Sequence, residues 1–401
     1  MQNFNQVVTS KNHLLWISDA RVGEDIRCIV QLSMSKELMK SGWKVTLVSP
    51  GKKGWQEISG VKVYGIPLVE IYLVRRLLYQ IQVIMFLIRH LRTIDIVYFN
   101  ELSALGLMLL RAVLRALKVK KPLFIMDTRT LLMQREDKMN WKNHVREFFF
   151  MKMNALTNRF GDGRTTITEP MVRSLQIPPE KLLSIWPSGV DIDLFTKAVT
   201  QRVWPKDSEP IHLIYIGCMH YERNLMNLCK AIMEANKISH RFQLTLLGEG
   251  NEYEELLAFS ALTNGMVCVM PSVPHDQVAE WLGKNHVGVL PFPDEERFRV
   301  SSPIKLFEYL AAGMVVLATK IECHTNVIQE NDMVVWCETA DVDGLTAGLE
   351  DLWKLRSKFS EMGKKNRDHS KKLTWQASAK KLSIGLEKAL TIIQLERKGG
   401  I

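Results

Sequence analysis

The chain has 401 residues, more than one compact core accommodates, and two domains are the natural expectation. Its 46% hydrophobic and 24% charged residues are those of a soluble globular protein, which excludes fibrous and disordered classes. Lysine and arginine outnumber aspartate and glutamate by 53 to 43, and the formal charge of +10 favours anionic partners: sugar nucleotides, phospholipid headgroups or nucleic acid.

The N-terminal segment MQNFNQVVTSKNH has no apolar core and does not read as a signal peptide. Short apolar runs then alternate with helical patterns. Strands are predicted at Leu14–Ser18, Lys44–Val48, Val61–Ile66, Asp95–Phe99, Pro122–Met126 and Thr165–Thr168. Helices at Ile29–Lys40 and Leu102–Leu117 lie between them. The longest apolar region is Val69–Arg92, VEIYLVRRLLYQIQVIMFLIRHLR. Its uncharged part, Leu77–Ile88, is shorter than the roughly 20 residues that span a bilayer. Two readings stay open. One is a long, partly buried helix of the first domain. The other is a basic amphipathic helix on an anionic membrane surface, flanked by Arg75, Arg76, Arg89, His90 and Arg92, with Lys118, Lys120 and Lys121 nearby.

Pro187, Gly189, Pro205 and Pro210 punctuate the chain between Ser184 and Glu209, where the domain boundary is placed. The second half repeats the scheme. Its strands are predicted at Ile211–Ile216, Phe242–Leu247, Met266–Met270, Gly288–Pro291, Met314–Ala318 and Met333–Trp336. Helices near Leu225–Asn236, Tyr253–Leu262 and His275–Leu282 lie between, and a helical tail, Trp375–Glu396, follows. This alternation predicts an α/β chain with two parallel, doubly wound sheets. Ligands of such sheets bind at the carboxyl ends of the strands, so two of them frame a cleft.

The loops at those strand ends carry the chemistry. Ser18 is followed by Asp19, Arg21, Glu24, Asp25 and Arg27. These charges either pair with one another or leave Arg21 and Arg27 facing an anionic ligand. Asp127 and Arg129 pose the same question after Met126. After Ile216, Gly217 lets the backbone turn close to a ligand, and Arg223 can clamp a diphosphate. Leu247-Gly248-Glu249-Gly250, Val273-Pro274-His275-Asp276 and Pro291-Phe292-Pro293 end three further strands. Ser301–Gly313, SSPIKLFEYLAAG, reads as a short helix capped by Ser301 or Ser302, with Pro303 in its first turn and Gly313 at its end. Leu306, Phe307 and Leu310 face a core, and Lys305 and Glu308 are left for an anion and for sugar hydroxyls, or for each other. Asp191-Ile192-Asp193 and Asp341-Val342-Asp343 mimic a metal-binding Asp-x-Asp, but their positions suit turn and cap residues, and no metal site is expected. The six cysteines form no C-x-x-C and no ligand set, consistent with a reducing cytoplasm.

Taken in order, these motifs resemble the nucleotide-sugar-dependent glycosyltransferases of family 4, which have the GT-B fold. The resemblance rests on Pro187-Ser188-Gly189-Val190-Asp191 with Phe195, Tyr215-Ile216-Gly217 through Arg223, the Gly248 and Val273 loops, Ser302-Pro303 through Gly313, and Leu373-Thr374-Trp375. It is dense from Ser184 to Trp375 and looser before. It implies two Rossmann-like, doubly wound domains facing across a cleft: an acceptor-side domain over 1–185, a donor-binding domain over 186–375, and a helix over 376–401 that crosses back to the first.

The resemblance also implies roles. Gly217, Arg223 and Gly248 would approach the donor diphosphate, with the helix start at Ser302 and Pro303 against the phosphates and Lys305 beside them. Val273 would touch the base and Glu308 the ribose. Asp19, Arg21, Asp127 and Arg129 would face the acceptor or the transferred sugar, with Arg223, Lys305 and Asp127 taken as catalytic. The family's sugar-contacting Glu, eight residues before Glu308, is replaced by Val300, and the first loop reads Arg21-Val22-Gly23-Glu24 in place of paired glycines. The implied reaction is metal-independent, retaining transfer of a hexosyl group from a nucleoside diphosphate sugar to a glycan or lipid-linked acceptor, in polysaccharide or glycolipid synthesis. No cofactor is implied, and no nucleic acid partner. The expected location is cytoplasmic, with peripheral contact to an anionic membrane left open. The competing reading is a GT-B protein that binds nucleotide sugars without catalysis.

Overall fold

The computed structural model describes residues 12–25, 28–68, 72–119, 121–132, 140–329 and 333–398. Arg27, Lys120 and the N-terminal segment as far as residue 11 lie outside the described residues. The described chain divides into two compact units. The first draws on 12–129, 140–187 and 378–398, the second on 188–377 with 130–132.

The first unit is built on an eight-stranded sheet. Its strands are β1 (His13–Ile17), β2 (Lys44–Pro50), β3 (Gly54–Ile58), β4 (Val61–Ile66), β5 (Ile96–Phe99), β6 (Leu123–Thr128), β7 (Gly163–Thr166) and β8 (Leu182–Ile185). Their order is β3-β4-β2-β1-β5-β6-β7-β8, and every pair is parallel except the β3–β4 hairpin. The inner strands are continuous apolar runs because helices cover both faces of a parallel sheet. The principal helices are α1 (Ile29–Lys40), α2 (Tyr72–His90), α3 (Glu101–Ala116) and α4 (Trp141–Phe160).

Tyr79, Val83 and Phe86 of α2, with Leu107 and Met108 of α3, share a core with Val97, Phe99, Phe124 and Met126 of the sheet. Helix α3 packs beside both α2 and α4, and Gln80 Nε2 of α2 donates to Ser103 Oγ of α3 at 3.0 Å. The outward faces of α2 and α3 are apolar as well. Leu77, Ile81 and Ile88 recur at helical spacing on α2 and are exposed, as are Leu105, Leu109 and Val113 on α3.

Strands β3 and β8 and helix α4 are among the elements not anticipated. Strand β3 is a largely exposed edge, so it shows no apolar alternation, and α4 spreads its apolar residues over more than one face. Strand β7 ends at Thr166, two residues earlier than expected, because Thr168 caps the following helix by accepting the Met171 N–H at 3.3 Å.

The second unit is a six-stranded sheet of β9 (Ile211–Ile216), β10 (Phe242–Leu247), β11 (Val267–Met270), β12 (Val287–Leu290), β13 (Val315–Thr319) and β14 (Val334–Cys337). All pairs are parallel, in the order β11-β10-β9-β12-β13-β14. The winding direction reverses between β9 and β12. These two strands pair only at Val287–Leu213 and Gly288–Ile214 and then part. Beyond that point the Ile216 N–H is taken by the hydroxyl of the buried Tyr309 at 3.1 Å. A crevice at the carboxyl ends of such diverging strands is where doubly wound sheets bind ligands.

The helices that frame it include α5 (Leu225–Ala235) and α6 (Ile304–Ala311). The last helix, α7 (Trp375–Lys398), belongs from residue 378 onward to the first unit, where Trp43 Nε1 donates to Ser383 Oγ at 2.8 Å. Both sheets match the expected α/β, Rossmann-like architecture. All six cysteines are free.

Candidate functional site

Gly217 ends β9 with φ of +132° and Gly248 ends β10 with φ of +156°. A Cβ on Gly248 would lie 1.9 Å from the Gly217 carbonyl oxygen, and one on Gly217 would lie 2.8 Å from Lys305 Nζ. Glycine is required at both for the conformation, and at Gly248 also for the room, since the neighbour there is backbone.

Arg223 closes a single 3₁₀ turn, Tyr221–Arg223, after β9. The next residue, Asn224, is left-handed at φ of +63°, and its Nδ2 donates to the carbonyls of Pro291 at 2.9 Å and Ala340 at 2.6 Å. One side chain thereby ties the loops after β9, β12 and β14 together. The Arg223 guanidinium lies 5.1 Å from the centre of the Phe292 ring and 5.3 Å from that of Phe298. These two rings stack at 5.0 Å. Lys305 Nζ lies 5.0 Å from the Tyr215 ring and 5.8 Å from the same Phe292.

Two cations therefore share one aromatic platform. Among the described residues neither is within ion-pair distance of a carboxylate. Burial, and then the charge of Arg223, push the Lys305 ammonium down to about 8. Like charges held together with no carboxylate at ion-pair distance among the described residues make a site for an anion.

Helix α6 begins at Ile304, not at Ser301. Pro303 occupies the cap position, and no side chain caps the helix, which corrects the expectation of a serine cap. Ser301 Oγ instead donates to the Phe298 carbonyl at 2.8 Å. Ser302 Oγ accepts the Ser188 N–H at 3.1 Å, and Ser188 Oγ donates to the Ser302 carbonyl at 2.8 Å. With both hydroxyls engaged, the N–H groups of Ser302, Ile304 and Lys305 meet no acceptor among the described residues. Gly313, at φ of +62°, ends the helix as expected.

Glu308 lies one turn into α6, and its Oε1 is 3.2 Å from His275 Nε2. That hydrogen bond raises the His275 pKa above the usual imidazole value. Val273 is half-buried in the loop that leads to His275. Val300 is buried. Near it in sequence, the buried Arg297 pairs with Glu295, while its Nε and Nη1 have no hydrogen-bond partner.

The first-unit candidates behave differently. Asp19 is exposed and accepts from Asn100 Nδ2 at 3.0 Å. Arg21 pairs with Glu24 at 3.2 Å, both well exposed. Arg129 lays its guanidinium 3.6 Å from the centre of the Trp186 ring and donates to the Trp186 carbonyl at 3.1 Å.

Asp127 is the most enclosed of these candidates. It lies within β6, only 5% exposed, and its Oδ1 accepts from Thr165 Oγ1 at 2.6 Å and Trp186 Nε1 at 3.1 Å. Burial raises its pKa, and its Oδ1 is held by these two donors. Asp341 caps a helix through the Gly344 N–H at 2.8 Å, and Asp191 accepts the Asp193 N–H at 3.2 Å. Among the described residues no group of three His, Cys, Asp or Glu is placed to hold a metal ion.

Sequence reasoning gave no role to Phe292, Phe298, Asn224 or His275. An Asn in the loop directly before a predicted helix is the signal for a left-handed residue at 224. The stacking of Phe292 on Phe298 has no sequence signal, because it depends on how two loops fold back.

Residues 210–354 match the family described as Glycosyl transferases group 1. No curated protein matches the chain in sequence. Among solved structures, sucrose-phosphate synthase from Thermosynechococcus elongatus is similar at 16% identity and a TM-score of 0.72, over 97% of this chain and 99% of that one. The catalytic domain of starch synthase IV from Arabidopsis thaliana, bound to ADP and acarbose, aligns at 11% identity and 0.73, over 95% and 100%. HepE from Anabaena, in complex with UDP and glucose, aligns at 10% identity and 0.69, over 94% and 98%. The chain has the GT-B fold shared by these structures.

Proposed function

We propose that this protein is a retaining glycosyltransferase that moves a hexosyl group from a nucleoside diphosphate sugar to an acceptor hydroxyl on a glycan or a lipid-linked sugar. The observation that carries the reading is the Arg223–Lys305 pair on the Phe292 ring, with no carboxylate at ion-pair distance among the described residues, where the second sheet changes direction. The family match over 210–354 covers this same unit. UDP in HepE and ADP in starch synthase IV support a nucleoside diphosphate as ligand.

Transfer requires stabilising the negative charge that grows on the departing diphosphate. Arg223, Lys305 and the free N–H groups at Ser302, Ile304 and Lys305 form a preorganised site for it. Pro303 shapes the approach to that helix start, and Gly217 and Gly248 let the phosphates come close to backbone. Glu308, steadied by His275, accepts from the ribose, and Val273 lines the base. The leaving phosphate assists removal of the acceptor proton. The two cations supply the charge, so transfer proceeds without a divalent metal. Asp19, Arg21 and Arg129 are the first unit's candidates for contacting the acceptor.

The test is a thermal-shift panel of UDP, GDP, ADP and their sugar conjugates, followed by product analysis by NMR. Glu308→Ala is expected to weaken nucleotide binding by about 1–3 kcal/mol, and Arg223→Ala to cut turnover more than ground-state binding. Unchanged affinity in Glu308→Ala removes that residue from the site. An inverted anomeric product, or turnover abolished by EDTA, refutes the corresponding part of the mechanism. The non-catalytic reading draws on one observation, the buried Val300 at the family's sugar-contacting position, and product formation with any acceptor rejects it.

A further inference from the structure

Helices that cover a sheet bury one face and turn a polar face to water. In the first unit α2, α3 and α4 do not. Leu77 on α2 is 62% exposed, Leu109 on α3 63%, and Trp141 and Phe148 on α4 71% and 64%. Single exposed apolar residues are ordinary, but outward apolar stripes on three neighbouring helices form a patch that a monomer in water seldom carries.

The charges around the patch have one sign. Arg75, Arg76 and Arg89 of α2 and Lys142, Arg146 and Lys152 of α4 are all exposed. Across the described residues of the three helices, Glu147 is the one exposed carboxylate. Lys142 Nζ lies 5.9 Å from the Trp141 ring and Lys152 Nζ 5.2 Å from the Phe148 ring, so these cations ride along the apolar surface with their heads at its rim. No helix among the described residues is long and apolar enough to cross a membrane.

We propose that the outer face of α2, α3 and α4 docks on an anionic phospholipid bilayer, the apolar stripes entering the headgroup–acyl boundary and the lysines and arginines meeting lipid phosphates. The charge pattern decides between occupants: two copies of this face would bring like charges together, whereas an anionic surface neutralises them. The single helix singled out by the sequence is one third of this surface. The proposal goes beyond the donor-site reading and does not depend on it.

The test uses the full chain and two variants, Leu77→Ser/Leu109→Ser/Phe148→Ser and Arg75→Glu/Arg76→Glu/Lys142→Glu. Each is sedimented with vesicles of phosphatidylcholine alone or with about one-third phosphatidylglycerol. The parent is expected to bind the anionic vesicles at low salt, about tenfold or more above neutral ones. Each variant is expected to lose that binding about tenfold while keeping the parent melting temperature and nucleotide shift. No binding by the parent at low salt overturns the proposal, as does full binding by the triple-serine variant. A parent dimer in sedimentation velocity that the triple-serine variant dissolves also overturns it, assigning the face to self-association.

Discussion

Lys305 is the residue whose chemistry is most altered by its surroundings. Its ammonium titrates at about 8, because burial and the Arg223 charge both oppose protonation. A bound diphosphate adds negative charge beside the ammonium and raises that pKa, so binding takes up a proton wherever the free lysine is partly neutral. The sign follows. Well below pH 8 Lys305 is already charged and affinity is flat; as pH rises through about 8 the proton must be recruited and affinity falls. Titration calorimetry of the best-shifting nucleotide, in buffers of different ionisation heat, is expected to show an uptake of about half a proton at pH 8. Lys305→Arg, whose guanidinium stays charged, is expected to abolish that uptake. An uptake that persists in the arginine variant assigns the proton to another group, with His275 the first candidate because its pKa is raised by Glu308.

At the scale of elements, the site is held by one asparagine. Asn224 starts α5 in a left-handed conformation and bonds the carbonyls of Pro291 and Ala340, fixing the turns after β12 and β14 relative to Arg223. Asn224→Ala loses both hydrogen bonds and places a Cβ-bearing residue without a local side-chain bond at positive φ. The expected cost is about 2–3 kcal/mol in urea unfolding. Asn224→Gly loses the bonds but relieves the backbone, and is expected to recover about 1 kcal/mol of that. Equal losses in the two variants would mean that the backbone conformation contributes nothing. The start of α6 follows the same logic in reverse. Ser301 and Ser302 are spent on Phe298 and Ser188, so the helix opens with N–H groups that meet no acceptor among the described residues and that a bound anion satisfies.

At the scale of the whole molecule, the sheet orders decide where chemistry can occur. In the second unit β9 and β12 separate after two paired residues, and the loops of both meet there. A nucleotide bound in that crevice stabilises the folded chain by mass action, about 2.7 kcal/mol at a hundred times its dissociation constant. The corresponding rise in melting temperature is expected for one nucleotide class and is read by scanning calorimetry. No rise for any of the three would leave the fold without the donor function.

The sequence alone determined the β-α alternation, Gly217 and Gly248 as strand-end residues, Arg223 in the loop after its strand, and Lys305 and Glu308 on a short helix. Each is set by local physics: apolar periodicity, the backbone freedom of glycine, and charge near a helix terminus. Tertiary structure alone decided that Asp127 is enclosed by Thr165 and Trp186, that Phe292 and Phe298 carry the cations, that His275 holds Glu308, and that three helices pool their apolar outer faces. Those outcomes depend on which distant segments are brought within a few ångströms of each other, and a linear pattern of residues does not encode that distance.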